Sequence, residues 1–305
     1  MNLAVDIGRL RLKNPVMTAS GTFGYGEEYA EFVDLDRLGA VVAKGLTLKA
    51  REGNPPPRTS ETPCGMLNAI GFQNVGVKKF IKDKLPYIRK FDTKAVANIL
   101  GNTPAEYVRL ARALEEAGVD AIEMNVSCPN VKKGGMAFCA DLRALGRLVE
   151  KVKKVVRSAV LIVKLAPNVT DIRQHAKVCE EAGAEAISLI NTIPAMAVDL
   201  RTRRPVLGNV TGGLSGPAIK PVALRLVWEV FNAVKIPIIG MGGITGAQDA
   251  LEFMLVGASA VAVGTASFIN PSAAQEVAEG IEAYMMENGL EDVNEIIGSL
   301  VIDGT

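Results

Sequence analysis

The sequence predicts an α/β fold of the (β/α)8 TIM-barrel class, a single domain over residues 1–305 with long loops above its C-terminal face. Three observations lead there. A length of 305 residues suits one barrel as well as two average domains. Eight short apolar runs, at 15–20, 40–47, 94–100, 121–127, 160–166, 186–192, 236–243 and 260–266, alternate with segments of helical length. All eight end on a side chain that can hydrogen-bond or on a bare glycine.

In chain order, the first run ends at Ser20-Gly21, the second at Lys44-Gly45 and the third at Asn98. The helix that follows is the clearest of the set. Thr103-Pro104-Ala105-Glu106 reads as a capping box with proline at the first helical position. Tyr107, Leu110, Ala111 and Leu114 form one apolar stripe over 104–117, and Gly118 supplies the stop. The fourth run leads into Asn125-Val126-Ser127-Cys128-Pro129-Asn130, where Pro129 withholds a backbone donor and ends the strand. The fifth ends at Lys164, the sixth at Asn191-Thr192, and the last two at Gly242-Gly243 and Gly264-Thr265. Repeated strand-then-helix units imply parallel strands with right-handed crossovers, and eight of them can close. Barrels of this kind build their active sites on the C-terminal strand ends, so the polar exits predict a site there.

Three connections on that side are long: 48–73, 128–140 and 193–216. Long loops in a compact domain serve as lids or binding loops. Asn68-Ala69-Ile70-Gly71-Phe72-Gln73-Asn74 combines apolar residues that can pack with amides that can read a ligand, which predicts a rigid, amide-lined lid.

Particular residue types narrow the chemistry. Lys44 and Lys164 each interrupt an apolar run, and a buried ammonium needs an anionic partner. Glu123 is one candidate; an anionic cofactor or substrate is the favoured one. The glycines after the seventh and eighth runs suit a phosphate monoester, because bare backbone N–H groups can approach its oxygens. A dinucleotide fingerprint is excluded by Thr245, which stands where a third glycine belongs and pairs with Gln248 as a second capping box. Cys128 is either a presented thiol or a small packed hydrophobe. His175, the only histidine, falls on a helix over 171–182 and reads as solvated, while Cys179 shares a core stripe with Ile172 and Ala176. Cys64 and Cys139 lie in the long loops without an evident role.

Composition excludes other classes. Thirty-four basic and 33 acidic side chains leave +1, so no global field would draw nucleic acid or an anionic membrane. No run reaches the roughly 18 apolar residues of a membrane span, and the N-terminus lacks a secretion signal, which predicts a cytoplasmic protein. The four cysteines include no Cys-x-x-Cys pair, so no metal site is expected, and any iron-sulfur cluster must come from a partner.

The chain resembles the class 1B dihydroorotate dehydrogenases. The resemblance rests on Thr18-Ala19-Ser20-Gly21-Thr22-Phe23-Gly24, Ala43-Lys44-Gly45-Leu46-Thr47, Met66-Leu67-Asn68-Ala69-Ile70-Gly71, the Asn125 to Asn130 segment and Thr211-Gly212-Gly213-Leu214-Ser215-Gly216-Pro217. Cysteine at the base position separates class 1 from class 2, which uses serine. Val131-Lys132-Lys133-Gly134-Gly135, followed by Phe138, favours 1B over 1A; Cys139 departs from an expected glycine.

The resemblance implies FMN bound by Ser20, Lys44, Gly45, Asn98, Asn125, Lys164, Ile190, Gly216, Gly242, Gly243, Gly264 and Thr265. It implies dihydroorotate or orotate held by Lys44, Asn68, Ala69, Ile70, Gly71, Phe72, Asn125, Asn191 and Thr192. Cys128 would take the C5 proton while a hydride leaves C6 for the flavin, with Lys164 neutralising the reduced flavin. Electrons would pass to a partner subunit with FAD and a 2Fe-2S cluster, and on to NAD, within a heterotetramer built on a homodimer of this chain. Two alternatives remain: a class 1A-like enzyme using fumarate, and a phosphate-binding barrel kept as a non-catalytic subunit.

Overall fold

Eight parallel strands form the barrel: β1 (Val16–Thr18), β2 (Ala40–Leu46), β3 (Lys94–Ile99), β4 (Ala121–Asn125), β5 (Val160–Lys164), β6 (Ala186–Leu189), β7 (Ile238–Met241) and β8 (Ala260–Val263). The computed structural model describes residues 1–126 and 141–302. Neighbouring strands follow chain order, and β8 pairs with β1 to close the ring. Each apolar run read from the sequence contains one strand. Every residue of β4 to β8 is buried, as expected of strands covered on both faces.

The outer layer includes α1 (Pro104–Glu116), α2 (Leu142–Lys153), α3 (Ile172–Glu181), α4 (Lys220–Phe231), α5 (Ala247–Leu255) and α6 (Ala273–Glu287). A shorter helical stretch, Val77–Lys79, Phe80–Lys84 and Leu85–Ile88, leads from β2 to β3 and widens into a π turn in its middle piece. α1 buries Tyr107, Leu110, Ala111 and Leu114, the expected stripe. Thr103 caps it by accepting from the Glu106 N–H. The other half of the box is shifted by one residue, since the Glu106 carboxylate accepts from Asn102 N–H at 2.7 Å.

Two local expectations are corrected. His175 is 7% exposed rather than solvated. It sits with Ile172, Ala176 and Cys179 on the buried face of α3, at spacings of three, four and seven that place it on the stripe, and its Nδ1 lies 2.8 Å from the Asp171 carbonyl. The start of α5 is not capped by Thr245 and Gln248. Its cap is Gly246, and Asp249 accepts from Thr245 N–H at 2.7 Å, Thr245 Oγ1 at 2.6 Å and Gly246 N–H at 3.3 Å. A carboxylate in the first turn answers the helix dipole, which the amide of Gln248 cannot do.

The connections at 48–73 and 193–216 are not simple loops. They supply a four-stranded antiparallel sheet in the order Ile193–Ala195, Gly212–Ser215, Gly65–Asn68, Thr59–Thr62. Leu67, Ala69 and Leu207 give this roof a small core of its own. The third connection, 128–140, lies outside the described residues. No helix among the described residues is long and apolar enough to cross a membrane.

Candidate active site

Between the strand ends and the roof sheet lies a cavity of about 590 Å³. Its barrel side is lined by Ser20, Lys44, Gly45, Asn98, Asn125, Lys164, Ile190, Asn191 and Thr192, and its rim by Gly216, Gly242, Gly243, Gly264 and Thr265. Asn68, Ile70, Gly71 and Phe72 approach from the roof. Residues chosen from all eight strand exits and two distant insertions therefore meet around one space. Ala69 does not line it. Its side chain is buried in the roof's own core, while its N–H and carbonyl bind Arg58 and Asn54. Cys128 lies outside the described residues. Thr59, Met66, Ser215 and Phe268 also line the cavity and were not anticipated. Ser215 had a signal, the Gly-rich run around it; its Oγ accepts from Thr265 Oγ1 at 2.8 Å.

The two lysines differ. Lys164 is 4% exposed, donates to Ser20 Oγ at 3.4 Å and stands 3.8 Å from Glu123 Oε2, so it has a structural counter-ion as well as a cavity-facing position. Lys44 forms no ion pair among the described residues. Burial pushes its ammonium below the ordinary lysine range, the carboxylate of Glu28 pulls it back and Arg58 adds to the depression. Such a group favours an anion brought in by a ligand. Between the lysines, Asn98 is fully buried, and its Oδ1 has no hydrogen-bond partner among the described residues.

At the rim, the backbone N–H groups of Gly242, Gly243 and Gly264 donate to no carbonyl among the described residues. Lys220 starts the neighbouring helix, but its ammonium is already held by Asp249 at 2.7 Å and Glu252 at 2.8 Å. Burial alone would raise the Asp249 carboxyl, yet the hydrogen bonds from Lys220 and Thr245 hold it below the usual carboxylate range. An anion at this rim would therefore meet backbone N–H groups rather than the Lys220 ammonium, a geometry suited to phosphate oxygens.

Asn125, at the end of β4, is fixed from outside the barrel. Tyr107 on α1 is fully buried, and its hydroxyl donates to the Asn125 carbonyl at 2.7 Å. Tyr107→Phe is expected to lower stability by about 0.5–1.5 kcal/mol, the net contribution of one intramolecular hydrogen bond. Chemical denaturation measures this, and an unchanged midpoint would show that the carbonyl finds another donor.

Sequence comparison identifies the family. The dihydroorotate dehydrogenase family profile matches residues 2–285. The catalytic subunit of dihydroorotate dehydrogenase B (NAD(+)) from Thermoanaerobacter sp. (strain X514) is 59% identical over 303 residues, covering 99% of this chain and 100% of the relative. The subunit of the same name from Trichlorobacter lovleyi is 59% identical over 299 residues, 98% of each chain. That from Thermodesulfovibrio yellowstonii is 55% identical, over 97% of this chain and 98% of the relative. A match that spans the barrel, the roof and every strand end on which the cavity is built places this chain in the dihydroorotate dehydrogenase family.

Proposed function

We propose that this chain oxidises dihydroorotate to orotate in pyrimidine biosynthesis, as the catalytic subunit of an NAD-linked dihydroorotate dehydrogenase with FMN across its strand ends. The observation that carries this is one cavity that holds a half-buried lysine and, among the described residues, no ion pair for that lysine, no partner for the Asn98 amide oxygen and no acceptor for the rim N–H groups. Each fits a part of the expected guests. The rim suits a phosphate monoester, and the Asn98 oxygen suits a ring N–H. Lys44 suits a carboxylate, and its volume is that of an ordinary cofactor site.

In this reading Gly216, Gly242, Gly243, Gly264 and Thr265 hold the phosphate end of FMN, and Ser20, Gly45, Asn98, Lys164 and Ile190 hold its ring. When bound, FMN supplies the acceptor for the hydride that leaves C6. Lys44 binds the substrate carboxylate, while Asn68, Asn125, Asn191 and Thr192 read the edges of the pyrimidine. Gly71 and Phe72 cover it from the roof. Cys128, three positions beyond the end of β4, takes the C5 proton. The relatives' designation as a catalytic subunit supports a second subunit. We assign to it FAD and a 2Fe-2S cluster, consistent with the lack of paired cluster cysteines in this sequence.

An absorbance spectrum of the purified chain before and after anaerobic dihydroorotate tests the reading. Expected are a yellow protein, bleaching by dihydroorotate, and FMN rather than FAD on acid release. A colourless protein that takes up no FMN overturns it.

Lys44 gives the site a pH signature. Because its ammonium is depressed in the free protein and restored by a bound carboxylate, orotate binding takes up protons as pH rises toward the lowered pKa, and affinity falls above it. Calorimetry in buffers of different ionisation heat measures the uptake. Lys44→Met is expected to weaken orotate by about 10–100-fold, the value of a charge-assisted hydrogen bond, and to abolish the uptake. Uptake that persists in the variant would move the titrating group elsewhere.

A further inference from the structure

Glu123 does not line the cavity, yet it ties together three elements of its wall. It stands opposite Asn98 in the β3–β4 register, and its Oε2 accepts from Asn98 Nδ2 at 2.6 Å. Its Oε1 accepts from Ser188 Oγ on β6 at 2.7 Å, and Lys164 Nζ on β5 is 3.8 Å from Oε2. Glu123 is 2% exposed and Ser188 fully buried, so the cluster is closed off from bulk solvent. A carboxylate can only accept, which decides how the Asn98 amide is turned. With Nδ2 committed to Glu123, Oδ1 is left buried and without a partner among the described residues, on a side chain that lines the cavity. An unpaired buried acceptor is unfavourable until a donor arrives, and a ligand N–H is such a donor. The same carboxylate steadies the Lys164 ammonium, which reaches Ser20 Oγ in the cavity wall.

We propose that Glu123 is a positioning residue for the cofactor: from behind the wall its carboxylate turns the Asn98 carbonyl toward a ring N–H of FMN and steadies the Lys164 ammonium, and so sets the reduction potential. The inference rests on the FMN reading above. An ammonium beside the flavin favours the reduced form, which carries more negative charge. A fixed carboxylate behind that ammonium offsets part of the effect in a medium of low dielectric. Glu123 therefore lowers the potential below the value Lys164 alone would set, which eases the onward passage of electrons.

The test is a potentiometric titration of the full chain carrying its FMN, with a fluorescence titration of FMN onto each apoprotein, for the parent, Glu123→Gln and Glu123→Asp. Glutamine preserves size and both hydrogen bonds, because the Ser188 hydroxyl can turn from donor to acceptor, and removes only the charge. The reduced-to-oxidised ratio at a fixed ambient potential is expected to rise about tenfold, about 30 mV for a two-electron couple, with FMN affinity retained. Aspartate keeps the charge but withdraws it from Asn98, so the potential stays near the parent's while FMN affinity falls about tenfold. A merely structural role would lower the stability of both variants without this split. An unchanged potential in folded Glu123→Gln overturns the inference. If that variant does not fold, undiminished FMN affinity in Glu123→Asp overturns it instead, and if neither folds, Glu123 serves the barrel and the inference falls. A parent chain that binds no FMN brings down the FMN reading itself, so the two failures are distinguishable.

Discussion

Cys128→Ala is expected to keep FMN and bind orotate, yet slow anaerobic bleaching by dihydroorotate on the order of 10²–10⁴-fold, the usual contribution of a positioned general base. A free thiol with a pKa of about 8.5 is only a few per cent thiolate at neutral pH, so the parent's bleaching rate should climb toward that pH and the alanine variant should lose the slope. Cys128→Ser should recover part of the rate only at high pH. The other cysteines serve as controls. Cys64 is exposed at the turn between two roof strands, and Cys179 is buried in the apolar face of α3. Alanine at either should leave bleaching near the parent rate. Cys139, like Cys128, lies outside the described residues and is the competing thiol. Stopped-flow bleaching of the four single variants decides between them. The assignment would be falsified by a Cys128→Ala protein that bleaches as fast as its parent.

Gly243→Val is expected to weaken FMN by about 10²–10⁴-fold. The backbone there has φ +82°, and a Cβ would lie 2.8 Å from Lys220 Cβ and 2.9 Å from the Gly216 carbonyl oxygen. Two lost hydrogen bonds to phosphate, each about 1.5–3 kcal/mol, account for that range. The side chain would press on the start of α4 rather than fill the cradle, so the loss comes through displaced N–H groups. Gly289→Ala is the matched control, since φ is +65° there but no atom lies within 4 Å of the added Cβ. It should cost stability and keep the colour. Fluorescence titration of FMN onto both folded apoproteins measures the difference, and full retention by Gly243→Val would remove the cradle from the reading.

The eight barrel strands were legible because each is a short apolar run closed by glycine or a polar residue, and burial on both faces makes such runs unambiguous. The roof was not. Thr59-Ser60-Glu61-Thr62 is polar throughout and Gly212-Gly213-Leu214-Ser215 is half glycine, so neither carries the alternation that marks a strand. Their pairing is decided by tertiary contact. At the site, strand exits pointed to most cavity residues, whereas Ala69 was drawn in by its neighbours and turns into the roof core instead. Glu123 was visible as a charge inside an apolar run. Its meeting with Asn98, Lys164 and Ser188 follows from the closure of four strands side by side, which no local pattern encodes.

The roof also bears on the order in which the molecule assembles. Asn68 pairs with Gly213, 145 residues along the chain, and β3 to β6 lie between them. Closing so long a loop is entropically unfavourable until the intervening chain is compact, so the barrel below must hold its shape before the two segments can meet. During synthesis the hairpin of Thr59–Thr62 and Gly65–Asn68 emerges long before its partner strand, and its inner edge stays open meanwhile. Each of those strands is only four residues long, and so short an edge offers little purchase to another nascent chain.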